Sequence, residues 1–175
     1  HFMCMTKEQI CALRERAVWK KLSSELSWTE ELLTKYADQV DWKELSSNEK
    51  VLWTESLLRK FADKLDWEEL STNRSLALQS PDIIRPFALY WHWDDKTKNT
   101  AWTPKFVAEM KDHLYWKELY QSASYEDQEF YLKEFFEYVS QLPFNESSWR
   151  RSRFFDEYVD AQWKERAAEI LSHVK

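Results

Sequence analysis

Residues 28–48 read WTEELLTKYADQVDWKELSSN, and residues 53–73 read WTESLLRKFADKLDWEELSTN. Fourteen of the 21 aligned positions are identical, where chance gives about one, so the chain carries an internal repeat. The frame continues on both sides with drift. Trp19 opens WKKLSS, Trp42 WKELSSN, Trp67 WEELSTN, Trp93 WDDKTKN and Trp116 WKELYQS, and Phe144 begins a last degenerate copy, at spacings of 23, 25, 26, 23 and 28 residues. A unit of about 25 residues cannot bury its own apolar face, so copies must stack on their neighbours, with atypical units closing the ends.

Each copy reads as a short helix followed by a longer one. Thr29, Thr54 and Thr103 precede the long helices as N-caps, with Pro104 and Pro81 at the first helical position after Thr103 and Ser80. Trp28, Trp53 and Trp102 stand before the caps, placed to staple onto Leu33, Leu58 and Val107. Trp53, Leu57, Leu58, Phe61 and Leu65 then fall on one helical face, a single buried stripe. The short helices open at Asp41 and Asp66 with Glu44 and Glu69 three residues on, an acidic capping box. Asn48, Asn73 and Asn99 stand where glycine usually ends a helix, so left-handed stops are expected there. Upstream, Thr6 and Gln9 form another capping box, Met5 is placed to staple onto Ile10, and Ile10, Leu13 and Ala17 are expected to face inward. Downstream, residues 125–141 read as one aromatic helix and residues 146–174 as a terminal helical region.

Composition supports the same class. The chain of 175 residues has no glycine and eleven tryptophans, with 43% hydrophobic and 32% charged residues; average usage predicts roughly a dozen glycines. Without glycine the phosphate-cradling loop, the dinucleotide-binding turn and the nucleophile elbow all lose their usual means of construction. Tight β-hairpin turns are disfavoured as well. The expected fold is all-α: a short right-handed α-solenoid of stacked helix pairs, about 5–6 degenerate repeats of 23–28 residues. It is expected as a single helical-repeat domain over 1–175, with a cap helix at 1–22, repeats at 23–116, and degenerate repeats with a cap at 117–175.

The pattern D-W-x-x-L-S-x-N, followed by W-T-x-x-L-L and an aromatic, resembles the tandem repeats found in proteins of large DNA viruses and of some bacteria. The likeness is close over residues 28–73. It implies the stacked-helix architecture and brings no catalytic residue with it.

Sites for chemistry are sparse. No H-E-x-x-H, C-x-x-C or E-x-x-H occurs. The nearest approach to a metal set is His92 with Asp94 and Asp95, although both acids align with helix-opening positions where they serve as caps. This arrangement carries one alternative, a metal-dependent hydrolase; otherwise no cofactor is expected. Cys4 and Cys11 are seven residues apart on one helix, too far for a disulfide, which suits a reducing, cytoplasmic setting. Cys11 is expected to be a buried small apolar residue. Serines fall at caps and in the repeated L-S-x-N turn. No apolar window is long enough to span a membrane, and no signal pattern opens the chain, so neither membrane nor secretion is expected.

Charge is more informative. Net charge is -6. Between Glu118 and Glu146 stand seven acids against Lys133 alone, a surplus equal to the whole net charge. Tyr125, Tyr131 and Tyr138 share this segment. Acids beside amphipathic rings suit a basic protein partner, so the candidate binding residues are Glu118, Tyr125, Glu126, Asp127, Glu129, Tyr131, Glu134, Glu137 and Tyr138. Arg150, Arg151 and Arg153 follow beside Trp149 and are expected to pair with the acidic helix rather than with nucleic acid. The functional expectation is a non-enzymatic protein-binding module, monomeric when free. Its narrow form is an immunity protein or antitoxin that neutralises a basic toxin such as a nuclease, and a structural repeat scaffold is the other alternative.

Overall fold

The computed structural model describes residues 4–174, so the first three residues of the expected cap lie outside it. Thirteen α-helices and no strand occur among the described residues, and the chain is all-helical. Two compact units are present, one up to Leu114 and one from Tyr115 onward. The first holds α1 (Lys7–Glu25), α2 (Glu30–Tyr36), α3 (Trp42–Ser46), α4 (Glu55–Lys60), α5 (Trp67–Thr72), α6 (Pro81–Ile84), α7 (Trp93–Lys98) and α8 (Pro104–Met110). The second holds α9 (Trp116–Ser122), α10 (Tyr125–Glu134), α11 (Phe136–Val139), α12 (Glu146–Arg150) and α13 (Arg153–Ser172).

Within a copy the two helices are nearly equal, 7 and 5 residues for α2 and α3 and 6 and 6 for α4 and α5, rather than short and long. Tryptophan explains the early stop. The Trp42 indole N–H donates to the Ala37 carbonyl (3.1 Å) and that of Trp67 to Ala62 (2.8 Å), and Trp93 repeats the bond to Ala88 (2.8 Å). Each satisfies a carbonyl just beyond a helix end, where no intrahelical donor remains. The second tryptophan of each copy behaves alike, Trp53 donating to Asn48 and Trp102 to Thr97.

The threonine caps form as read: Thr29, Thr54 and Thr103 accept from the amides of Leu32, Leu57 and Phe106. Trp53, Leu57, Leu58, Phe61 and Leu65 are all buried. The acidic capping boxes are only half made. Asp41 and Asp66 accept from the Glu44 and Glu69 amides, but their own N–H groups donate instead to Ser23 Oγ and Ser46 Oγ, both at 2.9 Å. Those serines belong to the preceding copy. Each also donates to the carbonyl four residues back, so both hydroxyl functions are used. The series continues with Ser71 Oγ, which accepts from His92 N at 3.0 Å.

Asparagine corrects another expectation. No described residue has positive φ, so Asn48, Asn73 and Asn99 are not left-handed stops. Asn48 and Asn73 are instead buried ties to the preceding copy. Asn48 Nδ2 donates to the Ser23 and Leu26 carbonyls, both at 2.8 Å, and Asn73 Nδ2 to those of Ser46 (3.0 Å) and Asn48 (3.1 Å). Their Oδ1 atoms accept from Lys50 N and Ser75 N, closing the next turn. Asn99 departs from the series and bonds Asp95 O on its own helix. Through these ties α3 packs against α1 and α5, and the Ser71 bridge joins α5 to α7.

The leading helix differs from its reading. Its capping box between Thr6 and Gln9 is complete, yet Ile10 and Leu13 are 46% and 47% exposed, Met5 and Ala17 are exposed too, and only Ser23 is buried. Length is the reason: 19 residues run about 28 Å, while the five-residue α3 that covers its end spans about 8 Å. Cys4 and Cys11 are free and exposed, so Cys11 is not a core residue. In the second unit the expected helix over 125–141 breaks at Phe135, whose ring lies 5.4 Å from Trp116 and whose φ/ψ of -128°/38° ends α10. The terminal region likewise divides at Ser152, which caps α13 by accepting from Phe155 N.

Candidate protein-binding surface

The acid-rich segment occupies α9, α10 and α11, and two aromatic contacts decide which of its tyrosines remain available. Trp116 is buried, with Tyr131 edge-on at 6.0 Å and Tyr138 stacked at 5.1 Å. Tyr131 is only 6% exposed, so it belongs to the core of this unit and not to a surface. Burial pushes its phenol pKa up, and the charge of Asp127 adds to the effect. Tyr138 and Glu118 are half-buried.

Glu129 is also structural in part. Its carboxylate accepts from Arg153 N (3.1 Å) and Phe154 N (2.9 Å), supplying from α10 a second cap to the first turn of α13. Negative charge there complements the helix dipole. Arg153 in turn reaches Glu126 (3.4 Å), with its guanidinium 5.3 Å from the Tyr125 ring centre. Arg153 therefore pairs with the acidic helix as expected. Arg150 and Arg151 stay within α12, on Glu146 (2.7 Å) and the Ser147 hydroxyl (3.0 Å). What stands exposed from the expected set is Tyr125, Glu126, Asp127, Glu134 and Glu137.

Two recesses lie beside these residues. An aromatic groove of about 380 Å³ is lined by Phe136, Ser140, Trp149, Phe154, Phe155 and Tyr158. Phe154 also lines a smaller recess of about 200 Å³ with Glu126, Glu129, Lys133, Arg153 and Glu157. The groove ring pair Phe136–Phe154 is stacked at 5.0 Å, and Trp149 stands edge-on to Phe136 at 6.4 Å, which sets the walls. Apolar walls thus adjoin a carboxylate-rich recess.

The sequence reading missed the terminal helix as part of this face. No residue of α13 is buried. Tyr158 and Trp163 are 60% and 58% exposed, and Phe155, Val159, Ile170 and Leu171 are exposed with them. The spacing of three and four between Phe155, Tyr158, Val159 and Trp163 was a legible signal of one apolar stripe, but a stripe of this kind ordinarily packs inward.

The alternative metal set is partly assembled. Glu68, His92 and Asp95 offer ligand atoms within 4.8 Å of one another, whereas Asp94 is outside the group and its carboxylate accepts from Asp95 N (3.0 Å). No helix among the described residues is long and apolar enough to cross a membrane. No family model matches the chain, and neither does any curated protein or solved structure.

Proposed function

We propose that the chain is a non-enzymatic protein-binding module whose recognition surface is the aromatic groove of the second unit and its acidic surroundings. The observation that carries this reading is α13, a 20-residue helix with an exposed aromatic stripe and no buried side chain. An apolar surface of that length on a helix is a recognition feature, because burying it on a partner recovers the free energy that exposure to water forgoes. The partner is a basic protein. Five acids stand against three bases along α13, and Glu126, Asp127, Glu134 and Glu137 are exposed on α10 and α11. Acids of this density speed encounter with a basic surface, while Phe155 and Tyr158 supply the anchors. In its narrowest form the module is an immunity protein or antitoxin that occludes a basic toxin such as a nuclease, acting in the reducing cytoplasm where two exposed cysteines remain thiols.

In this proposal the first unit is the frame, its copies opening at Trp19, Trp42, Trp67 and Trp93 stacked as a short right-handed α-solenoid. Its support is the serine bridge found at three successive joins and the asparagine tie found at the first two. A second reading, a structural repeat scaffold, is favoured by the exposed Ile10, Leu13 and Val18 of α1, which offer a separate apolar face.

Capture from native lysate at low and moderate salt, run in parallel with two variants, tests the proposal. The wild-type chain is expected to retain a stoichiometric basic protein. Phe155→Ala with Tyr158→Ala loses it at both salts, and Glu126→Gln with Glu137→Gln loses it mainly at moderate salt. Retention by both variants, or recovery of no stoichiometric basic protein, would overturn the assignment. Light scattering separates the scaffold reading, which requires self-association of the purified chain.

A further inference from the structure

Where α1 packs on α3, the residue after the helix-opening tryptophan of one copy lies opposite the second residue after that tryptophan in the next, Lys20 facing Glu44 at 3.9 Å. Between α5 and α7 the same two positions hold Glu68 and Asp95. Two acids thus stand where the first interface places a lysine and an acid.

His92 adds a third change at the same place. It occupies the position of Asp41 and Asp66, and the backbone is conserved: φ/ψ is -80°/99°, against -80°/102° and -88°/101°. Ser71 Oγ holds its N–H as the other serines hold those aspartates. Only the side chain differs. Asp41 and Asp66 accept from the amide three residues on, whereas the His92 side chain makes no cap hydrogen bond. One ligand atom from each of Glu68, His92 and Asp95 lies within 4.8 Å of the other two.

We propose that Glu68, His92 and Asp95 bind one divalent first-row transition ion of the zinc type between α5 and α7. One imidazole nitrogen and two carboxylate oxygens are a donor set that zinc accepts, while magnesium prefers oxygen alone and keeps its waters. Zinc bonds of about 2.0–2.2 Å set tetrahedral donors about 3.4 Å apart. Glu68 and His92 are exposed side chains on fixed helix positions, so rotation alone closes that difference. The ion replaces the ammonium of the first interface as the cation between two copies. It also clips together two helices separated in sequence by the segment 74–91, which holds α6. Three protein donors leave a fourth position for water.

The test uses the full chain carrying Cys4→Ser and Cys11→Ser, because exposed thiols bind zinc themselves. Zn²⁺ alone is the probe in calorimetry and thermal melts, and Co²⁺ absorption reports nitrogen and oxygen ligation. One ion per chain, a raised Tm and no competition from Mg²⁺ are expected. His92→Ala weakens binding by well over tenfold, since outer-shell partners alone are worth about 10–100-fold. Glu68→Lys rebuilds the lysine–acid pairing of the first interface, so it abolishes binding while holding or raising the metal-free Tm. That retained Tm shows the variant to be folded. Absence of stoichiometric binding in the parent chain, or retention of it by either variant, overturns the proposal.

Discussion

The interface between α3 and α5 and the one between α5 and α7 are drawn from one frame and are held together differently. In the first, Ser46 bridges to Asp66 N, Asn73 reaches back to two carbonyls, and Leu45 and Leu70 fill the core. In the second, only the serine bridge survives, from Ser71 to His92 N. Asn99 turns onto its own helix, and Lys96 takes the leucine position with 0% of its surface exposed. Backbone geometry at the start of α7 is nonetheless unchanged. One hydroxyl therefore keeps the register, while the leucine and asparagine tighten the stack without being needed to define it. Positions released from that duty are the ones where unusual side chains gather.

A large effect is expected at the asparagine tie. Asn73→Ala deletes two buried hydrogen bonds and leaves the Ser46 carbonyl and the Ser75 N–H without this partner, while Trp53 Nε1 still serves the Asn48 carbonyl, so a loss of about 2–3 kcal/mol is expected in urea unfolding. Asn99→Ala, which deletes one local bond within α7, should cost about 1 kcal/mol or less. Equal losses at the two sites would erase the distinction between the interfaces.

Lys96 gives the next effect, with opposite sign. Its Nζ donates to the Leu78 carbonyl at 2.6 Å and lies 4.2 Å from the centre of the Trp91 ring, the ammonium form gaining from the ring face. Burial nevertheless holds its pKa down, from the ordinary 10.5 to about 7. The unfolded chain keeps the proton up to about 10.5, whereas the folded chain gives it up near 7. Between those values the unfolded state binds more protons, so stability rises with pH across the window, and below it the full penalty remains. Lys96→Leu restores the side chain of the regular copies and should stabilise by about 2 kcal/mol at pH 6, part of the gain being offset by the Leu78 carbonyl losing its donor. Thermal melts from pH 6 to pH 10 should show the advantage shrinking as pH rises. A gain independent of pH would place the ammonium in water rather than in the core.

What was legible in the chain follows the distance over which each residue acts. Thr29, Thr54 and Thr103 cap within three residues of themselves, and local rules found them. Asn48 and Asn73 satisfy carbonyls more than twenty residues back, so a local rule read them as helix stops and missed the ties. The half-made capping boxes have the same origin, because a serine from the preceding copy already holds the N–H that the glutamate would reach. Ile10 and Leu13 had the right period for burial, yet periodicity cannot reveal that α3 is too short to cover them. The acid surplus of the second unit needed only counting. Separating Tyr125 from Tyr131 required knowing where Trp116 of α9 meets α10, and assigning the stripe of α13 to the surface required knowing that α10 and α12 leave it exposed.

That last distinction gives the smallest expected change and the sharpest contrast between the two units. Phe61 of the first unit and Phe155 of the second are both aromatic residues of amphipathic segments, but Phe61 is buried against Trp42 at 5.1 Å while Phe155 is exposed. Phe61→Ala should cost about 3–5 kcal/mol through lost transfer energy and the cavity left behind. Phe155→Ser together with Tyr158→Ser should move stability by no more than about 0.5 kcal/mol, the range for surface positions, and α13 should remain helical by circular dichroism because Ser152 and Glu129 still cap it. A loss comparable to that of Phe61→Ala would make the stripe of α13 part of the folded core, and a binding face could not then be drawn from it.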